Sequence, residues 1–270
     1  MAPPSDPGEA DLGRLREVAE KAANVGAGIV RRRFGEHEAK GELKGAGDYV
    51  TSVDRESEEA IRAFLQRATP DIPVLAEESG GDRGDRFWAV DPLDGTTNFL
   101  LGFPVVAVSI ALIEDGRPII GAVRGPMLGL SFSGARGQGA WSGSDRLHVT
   151  RRPPERAVIA MAFPFRAKSL MPRYTAALEQ VLARTEDVRR AGAASLDLAW
   201  VAAGVFDGYL ELNLSVWDVA AGALLVEEAG GVVTDWKGGP RYLSGNIIAG
   251  SAETHRVLLE AARSTEAQTG

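Results

Sequence analysis

A short apolar segment, Phe87-Trp-Ala-Val90, runs directly into Asp91-Pro-Leu-Asp94 and then into Gly95-Thr-Thr-Asn-Phe99. No other stretch constrains the fold as strongly. An apolar run of this length reads as a buried strand, and open α/β sheets gather their functional groups at the carboxyl ends of such strands. Two carboxylates this close repel each other unless a cation holds them, so the matching occupant is a hard metal with oxygen ligands. Gly95-Thr96-Thr97 follows where a helix can begin, and the N–H groups of a first helical turn lack partners within the helix, which suits a phosphate. Metal and phosphate are expected to meet at one point.

The rest of the chain must supply a core around that strand. With 270 residues and 44% hydrophobic composition it can bury a large one, as one compact unit of two coupled halves. A balance of 30 basic against 37 acidic residues gives a net charge of −7, and no basic run exceeds Arg31-Arg-Arg33, which argues against direct nucleic-acid binding. The absence of cysteine removes disulfides, thiolate nucleophiles and cysteine-based metal sites together. The first residues, Met1-Ala-Pro-Pro-Ser-Asp-Pro-Gly-Glu9, lack the basic and apolar regions of a signal peptide, and the longest nearly apolar run, 103–113, is far short of the ~20 residues a membrane span needs. A soluble cytoplasmic protein without membrane contact is the expectation.

Pro and Gly content marks 1–8 as a disordered tail. Apolar residues at three- and four-residue spacing over 9–34 (Leu12, Leu15, Val18, Ala19, Ala22, Val25, Ile29, Val30) predict an amphipathic helix. Polar, glycine-rich 36–47 predicts a surface loop, and 55–68 a second helix with Ile61, Phe64 and Leu65 inward. Strands are predicted at 72–76, 105–113, 119–123, 130–133 and 147–150, with turns at 114–117 and 134–137, the layout of an antiparallel meander. Near Arg151-Arg-Pro-Pro154 the pattern changes. Beyond it, strands (158–162, 209–212, 232–234) alternate with helices (171–183, 195–203, 218–229, 253–263). The expected organisation is an α+β half over 9–152 that carries the metal site and an α/β half over 153–265, in one catalytic unit.

Four acids stand at a strand end or helix start: Glu77, Asp91, Asp94 and Asp218. Taken singly, Asp218 reads as a helix N-cap and Glu77 as a loop acid; Thr51-x-x-Asp54 reads as a capping box. Their joint occurrence, with no histidine or cysteine among them, points to magnesium in preference to zinc. His37, His148 and His255 share no motif and read as solvent or structural residues. There is no Gly-x-Ser-x-Gly elbow and no Gly-x-x-x-x-Gly-Lys loop.

Glu77-Glu-Ser79, Asp91-Pro-Leu-Asp-Gly-Thr-Thr-Asn-Phe99 and Trp217-Asp-Val-Ala-Ala-Gly222 together resemble the signature set of the inositol monophosphatase family, over nearly the whole chain from about Leu12 to Leu259. The resemblance implies a layered αβαβα sandwich of the sugar phosphatase type and a magnesium-dependent, lithium-sensitive phosphomonoesterase. Asp-Gly-Thr-Thr-Asn-Phe is similar to the inositol phosphatase branch; Gly204-Val-Phe-Asp-Gly-Tyr-Leu-Glu211 and Gly245-Asn-Ile-Ile-Ala-Gly250 are similar to bacterial members.

Carried over by position, the resemblance makes Glu77, Asp91, the Leu93 carbonyl, Asp94 and Asp218 the ligands of two magnesium ions bridged by Asp91, with Glu77 also on a third. It makes Thr96 the residue that orients the attacking water, with Asp54 and Glu77 in support, and gives the phosphate to the Gly95 and Thr96 amides. Gly192, Ala193, Ala194, Glu211, Asp94 and Asp218 would line the place of the polyol, and Lys44 matches a loop lysine near the phosphate. Two departures stand out: Ala76 replaces a common glycine, and Gly192-Ala-Ala-Ser195 loses or moves a hydroxyl near the substrate. The implied substrate is a small phosphorylated polyol, first of all inositol monophosphate. Fructose bisphosphate, histidinol phosphate or an NADP-type phosphate would use the same chemistry. The resemblance further implies a homodimer and, as a role of another class, an accessory factor for the bacterial transcription machinery.

Overall fold

The computed structural model describes residues 9–35, 42–45, 48–164 and 166–265. The expected tail at 1–8 and His37 lie outside the described residues, as does the side chain of Lys44. The chain begins with helix α1 (Glu9–Arg33), and β1 (Glu42–Gly45) then pairs antiparallel with β2 (Asp48–Val50). That ribbon occupies part of the stretch expected as a plain loop; its short strands offer no apolar alternation to signal it.

Thr51 caps α2 (Ser52–Ala68), so the helix starts three residues earlier than its apolar spacing predicts. A seven-stranded sheet follows, built in the order β3 (Val74–Ala76), β4 (Arg86–Asp94), β5 (Ala107–Glu114), β6 (Arg117–Gly125), β7 (Leu130–Ala135), β8 (Gly139–Ser142) and β9 (Asp145–Arg146). Between β4 and β5 lies the short helix α3 (Thr96–Leu101). From β4 onward every neighbour is antiparallel, the predicted meander; only β3 runs parallel to β4.

The predicted strand at 147–150 does not form. Leu147 N–H instead donates to the Ala140 carbonyl (2.8 Å) and Val149 N–H to the Ala229 carbonyl (3.1 Å), so this backbone is satisfied by the end of one sheet and the end of a helix. The hairpin that takes its place, β8–β9, is short and glycine-rich, and Gly143 turns it at φ +59°.

The second half forms a five-stranded sheet from β10 (Val158–Met161), β11 (Asp187–Arg189), β12 (Gly208–Glu211), β13 (Val232–Thr234) and β14 (Ile247–Gly250), in the order β11-β10-β12-β14-β13. β14 runs antiparallel to both neighbours, so the sheet is mixed. The edge strand β11, polar and three residues long, and β14 were not expected as strands.

Helices α4 (Met171–Leu182) and α7 (Ala252–Ser264) cover its outer face through Tyr174, Ala177, Val181, Leu258, Ala261 and Ala262. Between the sheets lie α5 (Ala194–Ala202) and α6 (Val216–Glu228), apolar on nearly every side, as helices buried between two layers must be. Leu12, Leu15, Ala19 and Ala22 of α1 and Ile61 and Leu65 of α2 cover the far face of the first sheet. The order of layers is α1/α2, first sheet, α5/α6, second sheet, α4/α7, the αβαβα sandwich.

The central layer is tight because its residues are small. A Cβ on Gly121 of β6 would lie 2.8 Å from the Ala221 carbonyl oxygen, and one on Gly222 would lie 2.4 Å from the Leu198 Cβ. The run Ala220-Ala-Gly222 thus lets α6 approach both the first sheet and α5.

Candidate active site

β4 lies between β3 and β5 and is buried from Phe87 to Asp94, which is why its sequence is a continuous apolar run and not an alternating one. Its ladder with β5 is regular down to Asp91↔Ser109 and resumes, shifted, at Asp94↔Ala107. Pro92 has no N–H to give the ladder, so pairing breaks at this point. The Asp91 carboxylate accepts the Leu93 N–H (3.0 Å), and Ser57 of α2 donates to the Pro92 carbonyl (2.9 Å). Gly95 then turns the chain at φ +90°, where a Cβ would sit 3.0 Å from the Val105 carbonyl oxygen and 3.2 Å from that of Gly192. α3 starts immediately after.

The end of β4 opens into a cleft between the two halves, and the lining includes Glu77, Asp91, Leu93, Asp94, Gly95, Thr96, Gly192, Ala193, Ala194, Glu211 and Asp218. Glu77 follows β3 and is tied to β4 by its N–H, 3.2 Å from the Val90 carbonyl. Asp94 is gripped from the far half: it accepts the Ser195 hydroxyl (2.6 Å) and the N–H groups of Ser195 (2.8 Å) and Ala194 (3.2 Å). Ser195, which stands where the departure from the family pattern moved a hydroxyl, therefore holds a carboxylate and is fully buried. Asp218 occupies the third position of α6 and accepts the N–H of Ser215, the residue that takes the cap position, at 2.6 Å.

Burial raises the pKa of all three aspartates. For Asp91 the charges of Glu77, Asp94 and Asp218 push in the same direction, well above the usual carboxylate range. For Asp94, burial outweighs the opposing hydrogen bonds from Ser195 and Ala194. Asp218 is pushed up to about 7 by burial and then by Asp94.

Among the described residues no group of three or more acidic or imidazole side chains is already gathered to hold a metal ion. The donor chemistry nevertheless fits one. Four carboxylates, three of which disfavour the charged form of the fourth, Asp91, make with a main-chain carbonyl an all-oxygen set for which a hard divalent cation is the matching partner.

Behind the acids, Thr96 Oγ1 lies 3.0 Å from Asp54 Oδ1 and 3.1 Å from the Leu93 carbonyl oxygen. The other Asp54 oxygen accepts the Thr51 N–H (2.9 Å) and hydroxyl (2.5 Å). Asp54 is therefore both the acid of a capping box and a partner of Thr96, one oxygen for each. Burial raises its pKa against the hydrogen bonds from Thr51 and Thr96.

On the opposite wall Gly192 turns at φ +90°. Asn98, buried in α3, donates its side-chain N–H groups to the carbonyls of Val105 (2.7 Å) and Ala191 (2.9 Å) and so ties that wall to the β4 turn. Glu211, at the end of β12, accepts the Tyr209 hydroxyl and is pushed up to about 8, chiefly by burial. Arg166 and Arg190 also line the cleft.

Sequence reading gave no role to Asn98, Ser195 or Tyr209; Asn98, a polar residue inside the opening motif, and Ser195, in the altered Gly192-Ala-Ala-Ser195 run, offered a signal. Of the histidines, His148 is exposed, and His255 is buried with Nε2 2.8 Å from Thr234 Oγ1 and a pKa lowered by burial and then by Arg263. Neither lines the cleft.

The model of the inositol monophosphatase family matches residues 11–267. The Nus factor SuhB of Pasteurella multocida is 42% identical over 90% of this chain and 91% of its own length. An inositol-1-monophosphatase of Mesorhizobium japonicum is also 42% identical, over 92% of this chain and 96% of its own. The crystal structure of the extragenic suppressor protein suhB of Bartonella henselae superposes with a TM-score of 0.87 at 39% identity, covering 93% of this chain and 98% of that one. Among the described residues no helix is long and apolar enough to cross a membrane. With the family match, the fold and the relatives in agreement, this chain belongs to the inositol monophosphatase family and is a phosphoric monoester hydrolase.

Proposed function

We infer that the chain hydrolyses inositol monophosphate to inositol and inorganic phosphate, with magnesium as cofactor and water as the nucleophile. The observation that carries this reading is the meeting, in one cleft, of four carboxylates, three of which raise the pKa of Asp91, with a threonine hydroxyl held by a buried aspartate. Glu77, Asp91, the Leu93 carbonyl, Asp94 and Asp218 are the groups to hold two or three magnesium ions, which when bound supply the positive charge that acidifies a water molecule and offsets charge on the phosphate.

The protein's own groups have separate tasks. When Thr96 donates its proton to Asp54, its oxygen lone pairs remain available to accept a hydrogen bond from water, fixing the line of attack on phosphorus. Asp54, braced by Thr51, keeps that hydroxyl oriented. The Gly95 and Thr96 amides, at the start of α3, are the seat for phosphate oxygens. Glu211, shifted into the range where it both gives and takes hydrogen bonds, faces the polyol hydroxyls with Tyr209 behind it. Residues 9–152 and 153–265 act as one catalytic unit, since Asp94 comes from the first and its hydrogen-bond donors from the second. The homodimer belongs to the same reading, and a sedimentation mass of one chain would remove it.

The test is phosphate release from a panel of esters with magnesium, and with added lithium. Release from inositol monophosphate that falls in millimolar lithium is expected. If fructose bisphosphate, histidinol phosphate or an NADP-type phosphate is turned over and inositol monophosphate is not, the site keeps its chemistry and changes its substrate.

A second reading is favoured by the names of relatives such as the Nus factor SuhB of Pasteurella multocida: a role as an accessory factor of the transcription machinery. It needs no metal site. Association with RNA polymerase that survives Asp91→Asn supports it, and no association at physiological salt removes it.

A further inference from the structure

Helix α2 does more than supply Asp54. Asp54, Glu58 and Arg62 recur at four-residue spacing, so all three lie along one face of the helix. Glu58 is only 3% exposed, yet it does not point at the cleft. Its two carboxylate oxygens accept the N–H groups of two consecutive residues, Glu78 (2.7 Å) and Ser79 (2.9 Å), directly after Glu77. One turn further along, Arg62 Nη1 donates to the Gly80 carbonyl (3.0 Å) and, more weakly, to that of Val74 (3.3 Å).

The segment these residues hold is a tight reversal. Ala76 and Gly80 exchange hydrogen bonds of 3.1 and 3.0 Å across it, Gly80 turns at φ +68°, and Glu77 N–H reaches the Val90 carbonyl of β4. Glu77 is thus fixed to β4 through its own amide, while the residues after it are fixed to α2. A buried carboxylate accepting two main-chain N–H groups is a strong and directional anchor. A helix already registered against Pro92 through Ser57 and against Thr96 through Asp54 makes that anchor common to three catalytic segments.

We propose that Glu58 is a positioning residue that sets the place of Glu77 relative to Asp91, with Arg62 as its auxiliary. The proposal rests on the reading of Glu77 as a metal ligand. Glutamine in place of Glu58 offers one carbonyl oxygen and one NH2 group, so one of the two main-chain amides is left facing a donor. The helix and its apolar packing stay as they are.

The test is calorimetric magnesium binding by the full chain in four forms: wild type, Glu58→Gln, Glu77→Gln and the double variant. Replacing a residue that orients a metal ligand typically weakens metal binding by about 10- to 100-fold, and Glu58→Gln is expected in that range. The substrate KM at saturating magnesium should stay within about twofold of wild type, because uniform substrate binding is untouched. In the Glu77→Gln background, Glu58→Gln should add nothing, since residues that act as a unit are not additive.

Wild-type magnesium binding by Glu58→Gln, or full additivity in the double variant, would overturn the proposal. Unchanged magnesium binding by Glu77→Gln would overturn the underlying assignment of that ligand instead, so the two failures are told apart. If Glu58→Gln melts too low for titration, Arg62→Met, on a half-buried residue of the same face, takes its place. A weaker loss of magnesium binding is then expected, and none would overturn the proposal.

Discussion

Asp91 has the least room for substitution, because it is fully enclosed and feels the charges of Glu77, Asp94 and Asp218 together. Asp91→Asn keeps the shape and removes one anionic ligand. We expect magnesium binding to be nearly lost and kcat/KM to fall by more than about 10³-fold, the scale of losing several kcal/mol of electrostatic stabilisation; near-normal turnover would refute the ligand assignment. Thr96→Val tests a different task. Removing the hydroxyl while keeping the volume should lower kcat by about 10²- to 10⁴-fold with little change in KM, as fits a group needed only to direct the nucleophile. Steady-state kinetics with varied substrate separates the two effects.

These residues differ in how far the sequence exposed them. Asp91, Asp94 and Thr96 share one short motif, so their meeting at one strand end was legible in residue order alone. Asp54 looked like the acid of a capping box and is one; its second oxygen, turned to Thr96, depends on a partner 42 residues away. Ser195, Asn98 and Glu58 were not legible, because each acts on groups brought near only by folding, 101, 93 and 20 residues distant.

At the scale of elements, periodicity located the long helices and, β14 apart, the apolar strands to within a few residues. It failed where an element is short or is stabilised by something other than its own pattern, as in the ribbon β1–β2, the hairpin β8–β9 and the polar edge strand β11. The central helices illustrate a middle case. Small residues after Asp218 signalled a close approach, but not to which neighbour. The structure answers with both the first sheet and α5, and it makes Gly222→Ala a specific prediction. The added methyl would need Leu198 to move from a 2.4 Å overlap, a shift in the middle of a packed layer. A loss on the order of 1–3 kcal/mol is expected, read as an earlier denaturation midpoint with unchanged m-value.

For the whole molecule, the crowding of acids couples stability to pH and, on the proposed reading, to magnesium. The buried aspartates have folded-state pKa values above their unfolded ones. Their contribution to stability is complete below the ordinary carboxylate range near 4 and is lost as pH rises through the raised values, about 7 for Asp218. Metal-free protein should therefore melt lower at pH 8 than at pH 5.5. Saturating magnesium binds the ionised cleft of the folded state only, so it should raise the melting temperature more at pH 8 than at pH 5.5. Thermal scans at the two pH values, with magnesium or a chelator, check the sign; an equal increment at both would count against the acid cleft as the binding site.

The grip on Asp94 carries one more consequence, in time. Its donors, Ala194 and Ser195, are encoded 100 and 101 residues later. At roughly 5–20 residues per second of synthesis, the strand bearing the acids leaves the ribosome about 5–20 s before the amides that will seat one of them. Each copy of the enzyme begins life with its central carboxylates made and their socket still unwritten, and a chain released before Ser195 carries the signature motif without a site.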